Sequence, residues 1–101
     1  METDSLTQAV RTYYEKRGLK FPDANSALLF LVSEVGELAD AVVSHEPGWI
    51  RNNPEKEINL EDEIGDVLMM LTAFAICHDI DPYQAMLKKF NKKGVDVAGI
   101  E

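Results

Sequence analysis

Apolar positions recur along this chain at helical intervals, and breakers cut the pattern into four segments. The first begins near Ser5, which has Gln8 three residues on in capping-box spacing. It carries Leu6, Ala9, Val10, Tyr13 and Tyr14 at helical intervals until Gly18 stops it. Beyond Phe21 and Pro22, a cap at Asp23, Asn25 or Ser26 opens a proline-free stretch to about Ser44, which predicts a long helix. Residues 45–59 then concentrate Pro47, Gly48, Asn52, Asn53 and Pro54, which predicts a long loop inside a compact domain. Loops of that length are often functional. Asn59 caps a third helix over residues 60–78, and Asp81 followed by Pro82 supplies the cap and first-position proline of a fourth, ended by Gly94. The expectation is an all-α fold, a four-helix-type bundle over residues 1–94, followed by a C-terminal tail over 95–101.

The middle helices are not simply amphipathic. Residues 27–32 are apolar in every direction, and so are residues 67–71 together with 73–77. A helix that is apolar all round has to be buried all round. Four helices in 101 residues struggle to wrap two such helices completely, so the pattern predicts a homo-oligomer that covers the remainder.

Composition narrows the function. Hydrophobic residues at 46% and charged residues at 28% are the proportions of an ordinary globular domain. The net charge of −8 repels phosphate backbones and argues against a nucleic acid polymer as partner, while leaving small phosphorylated ligands open if a cation mediates. The longest purely apolar run, 27–32, is too short to span a membrane, and no secretory signal pattern opens the chain, so a cytoplasmic protein is expected. Cys77 has no second cysteine to pair with and reads as a core thiol.

Acids fall at selected positions within the two apolar helices: Glu34 and Glu37 in SEVGELADA, Glu63 and Asp66 in EDEIGDVL. Each pair is spaced i, i+3, which places both carboxylates on one helical face, where like charges repel. Partial burial raises that cost, and a divalent cation between the helices removes it. Magnesium, or manganese, suits such a set of hard oxygen ligands. Glu61 and Asp62 sit in a first helical turn, where the helix dipole alone accounts for acids, and Asp40 is a spare acid beyond Glu37. Gly36 and Gly65 interrupt the acidic pairs at a cost of roughly 1 kcal/mol each relative to alanine, which close approach of the helices or of a ligand would explain.

In these residues the sequence resembles the MazG family of all-α nucleoside triphosphate pyrophosphohydrolases, whose pattern is ExxE, a spacer, then ExxD. The resemblance spans residues 28–94. It implies a helical bundle assembled as a dimer or tetramer, with magnesium held on Glu34, Glu37, Glu63 and Asp66. It further implies that a metal-activated water splits an NTP or dNTP into monophosphate and pyrophosphate, with Glu37 as the acid that takes the water's proton. It also implies phosphate contacts from the last helix, where Lys89, Asn91 and Lys92 in KKFNKKG are the matching stretch, although lysines there also suit the helix dipole. Trp49, in the expected loop, is a candidate for stacking on a base. His45 and His78 sit near helix ends, where capping or solvation is the simpler use. Two further readings fit the same residues: a phosphoribosyl-ATP pyrophosphatase, which shares bundle and acids, and a non-catalytic acidic helical module.

Overall fold

The computed structural model describes residues 5–44 and 59–97. It contains four helices, α1 (Ser5–Lys16), α2 (Ala24–Val43), α3 (Leu60–Cys77) and α4 (Pro82–Lys92), with no strand among the described residues. The all-α expectation holds. Residues 45–58, including His45 and Trp49, lie outside the described part.

Local chemistry sets each start. Asp23 accepts a hydrogen bond from the Ser26 backbone N–H at 2.8 Å, and Asn59 one from Asp62 at 3.2 Å. Asp81 Oδ1 accepts from both Tyr83 and Gln84, with Pro82 following as the first helical residue. Each cap satisfies N–H groups that the helix itself leaves over.

Three of the helices end in one device. After α1 the Leu19 N–H donates to the Tyr14 carbonyl at 3.0 Å and Gly18 N–H to Glu15, with Gly18 at φ 64°. After α4 Val95 donates to Phe90 and Gly94 to Asn91, with Gly94 at φ 79°. These are Schellman turns, whose left-handed residue is most cheaply glycine. After α3 the same two bonds run from Ile80 to Ala75 and from Asp79 to Ile76, but the left-handed position, φ 56°, is filled by Asp79. Aspartate tolerates this region better than most side chains.

Helix α3 is the hub: α2, α1 and α4 each pack on it, α2 most extensively. The Cys77 thiol at the end of α3 donates to the carbonyl of Pro22, just before α2. Glu63, near the start of α3, meets Glu34 and Glu37, past the middle of α2. The two helices therefore run antiparallel. The core joins Val10 of α1, Ala27 of α2, and Met70, Ala73 and Ile76 of α3, with Tyr14, Phe21, Leu31, Met69 and Phe74 packed around it. Ala27 and Ala73 are wholly buried, small side chains that let the backbones come close. Tyr14 stacks at a tilt on Phe21 and directs its hydroxyl at the Met70 sulfur.

The apolar surplus is unevenly resolved. Most of 67–77 is buried or half-buried, with only Leu68 and Leu71 left exposed. On α2, Leu28, Leu29, Phe30 and Val32 remain exposed. Leu28, Val35 and Val42, seven residues apart, form an exposed stripe along one side of α2, and Leu60, Ile64, Leu68 and Leu71 do the same on α3. At Gly36 and Gly65 a β-carbon would meet nothing within 4 Å, so close approach of α2 and α3 is not what these glycines serve.

Met70 sits where three helices meet, and its truncation leaves a void that backbone relaxation cannot fill. Met70→Ala is expected to lose about 2–5 kcal/mol of unfolding free energy, read by urea titration followed by circular dichroism.

Candidate active site

The antiparallel seam of α2 and α3 brings three of the sequence-predicted acids together. Along α2, Ala27, Leu31, Glu34, Leu38 and Ala41 follow one another at three- and four-residue steps and form the face turned to α3. On that line Glu34 takes a position otherwise apolar. Glu37 lies to one side of it and is half-buried. From α3, Glu63 enters the same seam and is the most enclosed of the set, at 4% exposure. One carboxylate oxygen from each of Glu34, Glu37 and Glu63 lies within 4.8 Å of the others.

Asp66, half-buried one turn further along α3, is not within this closest group. Its charge nevertheless acts on Glu34. The Glu34 carboxyl is held above its ordinary range, first by burial and then by the charges of Asp66, Glu37 and Glu63, with a hydrogen bond that protonated Glu34 donates to Glu37 adding to the effect. Glu34 Oε2 is closed off from solvent and accepts no hydrogen bond. Such an oxygen requires either a proton or a cation, since a buried carboxylate without compensation is costly. The donor set therefore fits a hard divalent ion: three oxygens of the right chemistry converge, a fourth acid stands beside them, and Glu34 Oε2 is closed off without a hydrogen bond.

Other expected residues are placed elsewhere. Glu61 and Asp62 are exposed in the first turn of α3, as the helix dipole reading supposes. His78 is the exposed C-cap of α3, its ring packed edge-on against Phe74 with the ring centroids 4.7 Å apart. Lys89, Asn91 and Lys92 are exposed at the end of α4, and neither lysine is among the charges acting on Glu34. The depth of Glu63 was the feature hidden in sequence, because its first-turn neighbours make it look like another dipole-compensating acid. The signal that separates it is its register with Val67, Met70 and Phe74 on the inward face of α3.

Residues 23–94 match the MazG nucleotide pyrophosphohydrolase domain, more than half of the chain and the whole of both acid-bearing helices. The chain belongs to this family. Among curated proteins, dCTP pyrophosphatase 1 of Bos taurus is 36% identical over 75 residues, and dCTP pyrophosphatase 1 of Mus musculus 38% identical over 76. Each alignment covers 71% of this chain but 44% of the relative, so the MazG chain described here matches less than half the length of either. No solved structure matches it. Helix α1 precedes the MazG match, yet Val10 and Tyr14 are built into the core.

The raised Glu34 pKa sets a direction for stability against pH. The folded chain binds this proton more tightly than the unfolded one, so ionised Glu34 weakens the metal-free fold above its folded pKa. The penalty is relieved as pH falls through that pKa towards the ordinary carboxylate value. Thermal melts in EDTA across this window are expected to show wild type gaining on Glu34→Gln as pH is lowered. A constant gap between the two would contradict the assignment.

Proposed function

We propose that this chain is a magnesium-dependent nucleoside triphosphate pyrophosphohydrolase, releasing the monophosphate and pyrophosphate. The observation that carries the reading is the convergence of Glu34, Glu37 and Glu63 in an apolar seam, with Asp66 beside them. Family membership supports the reaction class. The names of the two curated relatives make dCTP the first substrate to try.

Glu34, Glu37, Glu63 and Asp66 would hold the ion, manganese serving as well as magnesium. When bound, the metal supplies neutralisation of phosphate oxygens, a lowered pKa for water and stabilisation of the leaving pyrophosphate. The protein's own part is positional and protolytic. Burial of Glu63 fixes the floor of the site, and Glu34 is kept from solvent so that its charge acts through a poor dielectric. Glu37, beside the seam line and half-buried, is the acid that takes the proton of the attacking water. Lys89, Asn91 and Lys92 meet the outer phosphates, whose charge exceeds what one magnesium cancels. Trp49 is retained as a base contact from the 45–58 segment.

The exposed stripes of Leu28, Val35 and Val42 on α2 and of Ile64, Leu68 and Leu71 on α3 support association with further copies of the same chain. A dimer or tetramer in solution is expected by mass measurement, and a stable monomer at micromolar concentration would leave these stripes unexplained.

The decisive test is a nucleotide panel with product identification, run with magnesium and with EDTA. Pyrophosphate and monophosphate are expected, in magnesium only. Glu34→Gln, Glu63→Gln and Asp66→Asn should lose most turnover while staying helical, and Glu37→Gln should lose about 10²- to 10⁴-fold if it is the base. Glu61→Gln should be silent. Near wild-type turnover in two or more of the four variants would refute the site, and magnesium binding without turnover would favour a non-catalytic module. Lys89→Ala and Lys92→Ala should slow turnover with little change in melting temperature. Dipole compensation alone would instead cost about 0.3–1 kcal/mol of stability and no activity.

A further inference from the structure

Phe30 is a large aromatic left out of the fold. It is 56% exposed, is not part of the core, and its ring touches no other aromatic among the described residues. Its position on α2 is specific. Glu34 follows it by four residues and Glu37 by seven, and seven residues are two turns, bringing Phe30 to within about 20° of Glu37 around the helix and about 10 Å from it along the axis. Both lie on the same side of the line Ala27, Leu31, Glu34, Leu38. The apolar stripe of Leu28, Val35 and Val42 lies on the other side of that line. The stripe that invites a second copy and the flank that carries Glu37 are thus different surfaces, and Phe30 belongs to the second.

We propose that Phe30 is a base platform for the substrate: the nucleobase of a triphosphate whose phosphates reach the acids stacks on its ring. The proposal rests on the pyrophosphohydrolase reading for the placement of the phosphates. An α-phosphate at the acids puts its base one sugar length away, comparable with the rise from Phe30 to the acid pair. A flat apolar ring with a free face accepts any base, so the contact adds affinity for nucleotides over other triphosphates without choosing among bases. Position 30 is a binding position, one turn from Glu34 and two from Glu37, and its effect falls on KM.

The test compares wild type, Phe30→Ala and Phe30→Tyr on a nucleoside triphosphate and on ribose 5′-triphosphate, which lacks the base, in saturating magnesium. Phe30→Ala is expected to raise KM for the nucleotide about 5- to 100-fold, the range of one base stack. The abasic substrate, kcat and solution mass should be unchanged, and Phe30→Tyr should restore the nucleotide KM. Equal effects on both substrates, or a change in solution mass, would assign Phe30 to the subunit contact and overturn the proposal. So would an unchanged nucleotide KM. A second readout works without turnover: quenching of 2-aminopurine riboside triphosphate fluorescence on binding, lost in Phe30→Ala. If wild type hydrolyses nothing, the enzymatic reading fails and the quenching still decides on Phe30. Its absence in wild type, or persistence in Phe30→Ala, counts against the platform.

Discussion

Carboxylates set into an apolar helix seam are the feature on which the rest of this structure turns. Glu63 is nearly sealed and Glu34 carries an oxygen closed off from solvent with no donor, at positions where leucine would stabilise the metal-free fold. The seam holds because other contacts fix it from outside the acids. Caps at Asp23 and Asn59 set where α2 and α3 begin, the Cys77 thiol ties the far end to Pro22, and the alanines at 27 and 73 let the backbones close. The elevated proton affinity of Glu34 is the measure of what those contacts hold against.

Much of this was legible from the sequence because it is written in local chemistry. Caps, first-turn proline and terminal glycines act within a few residues, so α1 to α4 were placed closely, and the paired acids stood out against apolar surroundings. What sequence could not supply was depth. Glu61, Asp62 and Glu63 are adjacent acids, yet only the third enters the seam, since burial depends on rotation of α3 against α2, which local pattern constrains weakly. The turn after α3 was hidden for a different reason: Asp79 fills a left-handed position without the glycine that usually announces one. Gly36 and Gly65 misled in the opposite sense, suggesting a close helix contact where the chain has open surface.

Helix α1 shows how a segment outside the matched domain becomes part of its fabric. Val10 packs with Met70, Ala73 and Ile76, and Tyr14 reaches the Met70 sulfur, so the C-terminal half of α3 is covered from that side by residues preceding the family match. The acids occupy the other half of the same helix. Core and site are stacked end to end along α3 rather than side by side.

That stacking limits how such a protein can diversify. A substitution that rotates or shifts α3 to suit a new ligand also displaces Met70 and Ile76 from the core they form with α1 and α2, so drift in this helix is penalised twice. The outer flank of α2 carries no such double duty. Lineages that change what they recognise would accumulate replacements there, around position 30, while α3 stays almost still, and a library randomised on that flank should retain folded members far more often than one randomised along α3.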